Sequence, residues 1–312
     1  MSTITSSWVI SEPYAGLQAQ ALGLAEAAGL SPELRVLEPR APWRLLPAAT
    51  WPAPLAAVPE AVHPPLPAVV IGCGGVAAAV GAALRRRGPA AVQVQHPRMA
   101  PGRFDLIVVN RHDELTGPNV VVTRTALHRV TPHRLAAAAE ECRDIFAPLP
   151  RPLVAVLVGG SNGRLRLDRA VAARLAGDLA QTMRCDGVGL VLTGSRRTDP
   201  AAARVLREVL APLGAWVWDG VGDNPYFGML ALADAIVVTS ESVSMISEAV
   251  ATTAPVMLAA LPGRSRRNSL FIEPLLAEGR VRHFAGRFET WPVAPLNDTP
   301  EAAAEMRRRL GL

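Results

Sequence analysis

The densest run of chemistry-bearing residues lies at Thr239-Ser-Glu-Ser-Val-Ser-Met-Ile-Ser-Glu248. An apolar run, Ala235 to Thr239, precedes it and reads as a buried strand. Ser240, Ser242 and Ser244 then put hydroxyls in the turn, and a helix should start near Ser242 or Ser244 with Val243 and Met245 beside its first turn. A strand feeding a hydroxyl-rich turn and a helix N-terminus makes an anion site, because backbone N–H groups and the helix dipole both favour phosphate. Glu248 would then lie beside that phosphate and accept hydrogen bonds from sugar hydroxyls. The same residues also suit an ordinary βα unit in which the serines only cap and the glutamate is solvated. A second cluster, Ser195-Arg196-Arg197-Thr198, follows another apolar run and supplies charge suited to a diphosphate.

Composition limits the chemistry. The 312 residues contain no lysine, so every basic side chain other than histidine is an arginine. That excludes a lysine Schiff base, a P-loop lysine and a catalytic lysine amine. Anions must be held by arginine or backbone N–H groups. A formal net charge of +5 favours anionic ligands or a membrane surface only modestly. The arginines are spread along the chain without interleaved aromatics, so no nucleic-acid partner is expected. Cys73, Cys142 and Cys185 are far apart and form no zinc spacing, which fits free thiols in a reducing compartment and no metal site. The start, MSTITSSWVISEPYAG, lacks the features of a leader peptide, and no segment approaches a membrane span. A cytoplasmic protein is expected, with peripheral contact to the inner membrane compatible with the charge. Nothing in the sequence sets an oligomeric state.

The elements that must position these residues alternate strand and helix, the pattern of an α/β chain with parallel sheets. In the first half, strands are expected at Ser7–Ile10, Leu34–Leu37, Ala68–Ile71, Ala91–Gln95, Phe104–Val109 and Asn119–Thr123. Helices are expected from Leu17 to Ala28, from Gly75 to Arg87 and from Pro132 to Phe146. The proline-rich stretch from Pro39 to Pro67 reads as an irregular loop pinned by Trp43 and Trp51. Gly72-Cys-Gly-Gly75 is not the dinucleotide fingerprint. Polar clusters end two strands: His96 with Pro97-Arg98, and His112-Asp113 after Asn110-Arg111. His96, His112 and Asp113 are candidates for acid–base work, and each also suits plain loop hydrogen bonding.

Pro148-Leu-Pro-Arg-Pro152 reads as the linker, giving domains at 1–148 and 149–295 and a C-terminal helix over 296–312 that packs back on the first domain. In the second half three strand ends carry Gly, Ser, Thr or Arg: Gly159-Gly160-Ser161, the Ser195–Thr198 turn, and the turn opened by Ser240. Asn224-Pro-Tyr226 opens a further helix. Arg264 to Phe271 reads as a loop leading into a helix from Pro274 to Glu278, and Arg307, Arg308 and Arg309 as a solvated basic face. Arg282 and Arg287 are further candidates to touch an anionic surface.

Together, Gly16 with Gln20, Val70-Ile-Gly72, Val94-Gln95, Pro97-Arg98, Phe104-Asp105, His112-Asp113, Leu157-Val-Gly-Gly-Ser161, Ser195-Arg-Arg-Thr198, Asn224-Pro-Tyr226 and Val238 to Glu248 resemble the Elm-type mitochondrial fission protein family in its bacterial form. The family has Asp where this chain has Glu241. That family in turn resembles the GT-B glycosyltransferases, whose two Rossmann-like domains carry parallel sheets facing a central cleft. The resemblance implies a metal-independent glycosyltransferase with no tightly bound cofactor, taking a nucleotide-diphosphate sugar and an unidentified acceptor. It places the donor on Gly160, Ser161, Ser195–Thr198, Asn224, Tyr226, Ser240, Ser242–Met245 and Glu248, and the base among His96, His112 and Asp113. A competing expectation, from the role of the plant relatives, is a non-catalytic interaction protein on the same scaffold. A dinucleotide epimerase would need a Tyr-x-x-x-Lys pair, which a lysine-free chain lacks.

Overall fold

The structure is a computed structural model that describes residues 5–312. The first four residues, part of the stretch read as lacking leader features, lie outside the described residues. In chain order the first elements are β1 (Ser7–Ser11), α1 (Ala15–Ala27), β2 (Glu33–Val36), β3 (Val69–Cys73), α2 (Gly75–Arg85), β4 (Ala90–Val94), β5 (Leu106–Asn110) and β6 (Val120–Thr123). There follow α3 (Pro132–Phe146), β7 (Leu153–Val158), α4 (Arg169–Asp186), β8 (Gly189–Gly194), α5 (Pro200–Leu210), β9 (Trp216–Val217), α6 (Tyr226–Leu232) and β10 (Ala235–Thr239). The last are α7 (Val243–Val250), β11 (Val256–Ala259), α8 (Arg266–Ala277), β12 (Val281–His283) and α9 (Thr299–Leu310).

These elements form two units, one running up to Arg129 and taking in 297–312, and one of residues 130–296. Each holds a six-stranded sheet, in the order β2-β1-β3-β4-β5-β6 and β12-β11-β10-β7-β8-β9. All pairings are parallel. Central strands β1, β3, β5, β7 and β10 are buried along their whole length, as continuous apolar runs in a sheet covered on both faces should be. The edge strands are short, and one edge of each sheet carries charge: β2 has Glu33 and Arg35, and β12 has Arg282.

In each sheet the strand order reverses once, between β1 and β3 in the first unit and between β7 and β10 in the second. At such a switch point the following loops diverge to opposite faces and leave a crevice at the carboxyl ends of the strands. The loops that follow these four strands carry Glu12, Gly74-Gly75, Gly159-Gly160 and Ser240–Ser242.

Several expectations change. The division falls between Arg129 and Val130 instead of at Pro148–Pro152. The reason is that α3 packs on α6, closely enough that a Cβ on Gly228 would lie 2.2 Å from Cys142 Sγ. Of the stretch Arg264 to Phe271, expected as loop, residues 266–271 lie in α8; Ser265 Oγ accepts the Asn268 N–H at 3.3 Å, and Pro274 lies inside the helix instead of opening it. Of the basic face on α9, Arg307 is not simply solvated: its Nη1 donates to Ala28 O at 2.7 Å, at the end of α1. Arg282 pairs with Glu289 and Arg287 with Asp186, so both are satisfied internally. The long loop is indeed pinned by its tryptophans: Trp43 and Trp51 meet edge to face at 5.9 Å, and Trp51 Nε1 donates to Leu46 O at 3.1 Å. Among the described residues no helix is long and apolar enough to cross a membrane.

One ion pair fixes α9 in the first unit. Asp298, only 4% exposed, accepts from the Arg124 backbone N–H and from its guanidinium. Burial alone would raise the Asp298 carboxyl, but the Arg124 hydrogen bonds hold it below the usual range. Asp298→Ala should cost about 1–3 kcal/mol by leaving the Arg124 donors without their acceptor, read as a lower denaturant midpoint at unchanged slope.

Candidate functional site

The second unit's switch point is built from three strand ends. From β7, Gly159 N–H donates to Thr239 Oγ1 at 2.8 Å, and Gly160 N–H donates to Glu241 Oε1 at 2.8 Å. From β8, Thr198 Oγ1 donates to Gly159 O at 2.6 Å and accepts the Ser195 N–H at 2.8 Å. The Ser195 hydroxyl accepts the Arg197 N–H at 3.2 Å. These contacts leave no volume for side chains: a Cβ on Gly159 would lie 1.7 Å from Glu241 Oε1, and one on Gly160 would lie 2.1 Å from Arg197 O. The glycine pair is therefore required by close approach, and the loops after β7, β8 and β10 interlock.

α7 begins on this base. Ser242 is its N-cap, accepting the Met245 N–H at 3.4 Å through Oγ and the Ile246 N–H at 3.0 Å through its carbonyl. The amide of Val243, at the first helical position, has no intrahelical acceptor. Ser244 and Met245 complete the partly buried first turn. At the other end the buried Arg280 donates to Val250 O at 2.7 Å and Thr252 O at 2.9 Å, placing a cation under the helix C-terminus. Among the described residues Arg196 and Arg197 are exposed and form no ion pair, so both charges face outward beside the turn. Arg197 is close enough for its charge to act on Glu241.

One turn into α7, Glu248 Oε2 accepts the Tyr226 hydroxyl at 2.6 Å. Burial pushes the Glu248 carboxyl up to about 7, against the opposing effect of that hydrogen bond. Burial also raises Glu241, and raises Tyr226 well above its usual value with the Glu248 charge adding to it.

The remaining expected residues have structural partners. Ser161 Oγ accepts the Leu167 N–H at 2.9 Å within its own loop. Ser240 Oγ accepts the Leu261 N–H at 3.1 Å. Asn224 Nδ2 donates to Thr193 Oγ1 at 2.9 Å, tying the loop before α6 to β8. Thus Gly160, Ser195–Thr198 and Ser242 stand on neighbouring loops, Val243–Met245 and Glu248 follow on α7, and Ser161 and Ser240 brace the loops. Residue spacing does not single out Thr239 and Glu241 as site builders; the Gly159-Gly160 pair is the signal that something must approach closely.

The first unit's carboxyl edge holds the acid–base candidates. His96 Nδ1 accepts the Arg98 N–H at 2.9 Å, so the neutral ring carries its proton on Nε2. His112 Nε2 lies 3.7 Å from Asp113 Oδ1, with the two side chains only 2% and 5% exposed. Both belong to the turn directly after β5 and are shielded from solvent there. Glu12, read from sequence only as part of a turn, proves half-buried at the β1–β3 switch point. Among the described residues no group of three His, Cys, Asp or Glu is placed to hold a metal ion.

Comparison with known proteins places these features in a lineage. The family model described as "Mitochondrial fission ELM1" matches residues 15–310. The mitochondrial fission protein ELM1 of Arabidopsis thaliana is 34% identical over 278 residues, taking in 78% of this chain and 64% of that protein. The chain thus matches less than two thirds of that relative's length. A putative UDP-N-acetylglucosamine 2-epimerase from Listeria monocytogenes superposes with a TM-score of 0.59 at 13% identity, over 97% of this chain and 95% of that one. The UDP-GlcNAc 2-epimerase from Neisseria meningitidis, solved bound to UDP-GlcNAc, gives 0.54 at 9% identity, over 97% and 99%. Likeness at this identity establishes the fold, which is GT-B-like with two Rossmann-like units. The missing Tyr-x-x-x-Lys pair therefore argues only against the dinucleotide class of epimerase, since proteins called epimerases carry this fold too.

Gly160→Ala should cost about 1–3 kcal/mol by forcing the turn after β8 away, measured by chemical denaturation. For Glu248 the sign follows from its raised value. The folded chain holds the proton more tightly than the unfolded chain does. The stabilising contribution is complete below about pH 4.5 and is lost as pH rises through about 7. Glu248→Gln should remove on the order of 2 kcal/mol of that pH dependence, seen in melting curves of both proteins from pH 4 to 8.

Proposed function

This chain belongs to the mitochondrial fission ELM1 family, and on its GT-B-like scaffold we propose that the second unit binds a nucleotide-diphosphate sugar and that the protein transfers the sugar to an acceptor. The observation that carries this reading is the convergence, at the β7–β10 switch point, of three features. These are the capped start of α7, two arginines without carboxylate partners, and a carboxyl one turn along the helix. The helix start and Arg196 with Arg197 suit a diphosphate, with the arginines able to grip it in a bidentate fork. Glu248 suits the ribose hydroxyls, which replace water around a carboxyl held near neutrality.

The chemistry asked of this chain is electrostatic. When the bond between sugar and diphosphate breaks, charge grows on the leaving oxygens. Guanidinium groups and helix N–H donors fixed beside it stabilise that charge without reorganising, so the departing diphosphate needs no metal ion. Solved relatives of the fold support a nucleotide ligand: one is bound to UDP-GlcNAc and another is a complex with UDP. A second reading, a non-catalytic interaction protein, is favoured by the name of the plant relative. Diphosphate binding separates the two.

The protein should melt at a higher temperature with one of UDP, GDP, ADP, CDP or dTDP. A diphosphate at 100 times its dissociation constant adds about 2.7 kcal/mol. Glu248→Ala and Arg197→Ala should each abolish most of that shift while melting cooperatively without ligand. The absence of any shift at millimolar diphosphate would sink the donor site and leave the interaction protein.

A further inference from the structure

We propose that the first unit holds an anion site of its own, which takes the phosphate of a small phosphorylated polyol between Arg86 and Arg103. It stands independently of the donor reading above. A cavity of about 490 Å³ opens at the amino ends of β4 and β5. The switch-point loops follow the carboxyl ends of their strands, so in a parallel sheet this cavity lies at the opposite edge. Its walls come from three stretches. Arg85 and Arg86 stand at the end of α2, Gly88 in the connection to β4, and Gly102, Arg103 and Asp105 in the connection to β5.

Three guanidinium groups and one carboxylate line the cavity, and the carboxylate is already engaged. Asp105 Oδ1 accepts from Arg85 Nε at 3.0 Å, and its Oδ2 accepts the Ala91 N–H at 2.8 Å. Burial alone would raise the Asp105 carboxyl, but the hydrogen bonds from Arg85 and Ala91 hold it below the usual range, so it stays charged and keeps Arg85. Arg85 Nη1 also donates to Gly102 O at 3.2 Å, which makes this pair a fixed wall between α2 and the β4–β5 connection.

Arg86 and Arg103 are not committed in this way. Among the described residues Arg86 has no side-chain hydrogen bond or ion pair, and Arg103 reaches only the Met99 thioether, at 3.7 Å. A thioether is a weak acceptor for a group with five donors. The end of α2 accounts for cations at Arg85 and Arg86, because a helix C-terminus attracts positive charge. It does not account for Arg103, which comes from a separate connection and lines the same cavity. Two guanidinium groups without carboxylate partners, brought from two stretches to one hollow, suit a phosphate, and each can hold it in a bidentate fork.

Size and lining give the class of the remainder. Small-molecule pockets run from about 300 to 1,000 Å³, so there is room for more than a phosphate group. No aromatic or large apolar side chain lines the cavity, which leaves a nucleobase nothing to stack on. Gly88 and Gly102 have open space where a Cβ would stand, so their backbone is uncovered. Walls that offer hydrogen bonds without a stacking face suit hydroxyls, and hence a sugar phosphate or glycerol phosphate. That chemistry occurs both in free metabolites and in phospholipid headgroups.

The test uses the full chain labelled with nitrogen-15. It reads the guanidinium Nε signals of Arg86 and Arg103, each assigned by its loss in Arg86→Lys or Arg103→Lys. Glycerol 3-phosphate should move both signals and saturate with a dissociation constant of about 1 mM or below. Inorganic phosphate should bind about 10-fold more weakly, because the hydroxyl contacts are missing. Arg86→Gln combined with Arg103→Gln should weaken glycerol 3-phosphate about 10-fold or more. The same double variant should melt like the wild type, since neither side chain gives up an ion pair, and should respond like the wild type to nucleoside diphosphates. Vesicles of phosphatidylglycerol, with phosphatidylcholine vesicles as the blank, present the headgroup on a lipid. Co-sedimentation with the first vesicles alone, lost in the double variant, supports the site with a lipid as its source. Saturable binding of glycerol 3-phosphate without co-sedimentation supports it with a soluble source. Signals of Arg86 and Arg103 that neither ligand moves overturn the proposal, and this reading needs only the wild type if the double variant folds poorly. Binding that survives the double substitution overturns it as well. Inorganic phosphate that binds as tightly as glycerol 3-phosphate overturns the polyol.

Discussion

A single carboxylate oxygen organises the second unit. Glu241 Oε1 holds the Gly160 N–H across the gap between β7 and β10, where the sheet's connections diverge and no ladder bond closes the loops. The Gly159 bond to Thr239 runs alongside it, and the Thr198 hydroxyl ties the β8 turn to the same glycine. Because these groups are buried, each bond replaces water that cannot return, and losing one partner strands the other. The requirement for two glycines follows, as does the position of Ser242 at the start of α7. The Glu241 side chain is long enough to reach the amide of Gly160 from its own turn.

Much of the fold is legible in the residue pattern, and for a definite reason. A parallel sheet covered on both faces demands unbroken apolar runs, and Leu153–Val158 or Ala235–Thr239 fit nothing else as well. The elements that escape the pattern lack that signature. β12 is three residues, Val281–His283, with two of them exposed. In α8 the pattern points to a break at Pro274, a residue that usually opens helices. Here it sits within one whose Ser265 cap and buried Phe271 and Leu275 outweigh the lost bond. Prolines mark the domain boundary in the sequence, whereas the packing of α3 on α6 decides it.

The site is legible in part, because helix caps and strand-end glycines leave marks at fixed spacing. Ser242 and the Ser195–Thr198 turn stand where that spacing puts them. Glu12 leaves no such mark: a lone glutamate before a proline is commonplace, and only the strand order gives it a setting. The histidines draw attention by residue type alone. The burial of His112 is a fact of tertiary structure, which sequence spacing does not encode, and the Arg98 N–H on His96 depends on the conformation of that loop.

Arg280 bears on what this lineage can substitute. Its guanidinium is 6% exposed and spreads over the carbonyls of Val250, Thr252 and Ala254. Burial draws it down to about 10, which still leaves it charged at neutral pH. An ammonium in that place would start about two pH units lower, present one compact head instead of a planar fork, and give up its proton far more readily. The position is thus closed to the commonest exchange among basic residues, whatever keeps lysine out of the rest of the chain. Drift at this residue would register as a weakened end of α7, and so as a misplaced beginning.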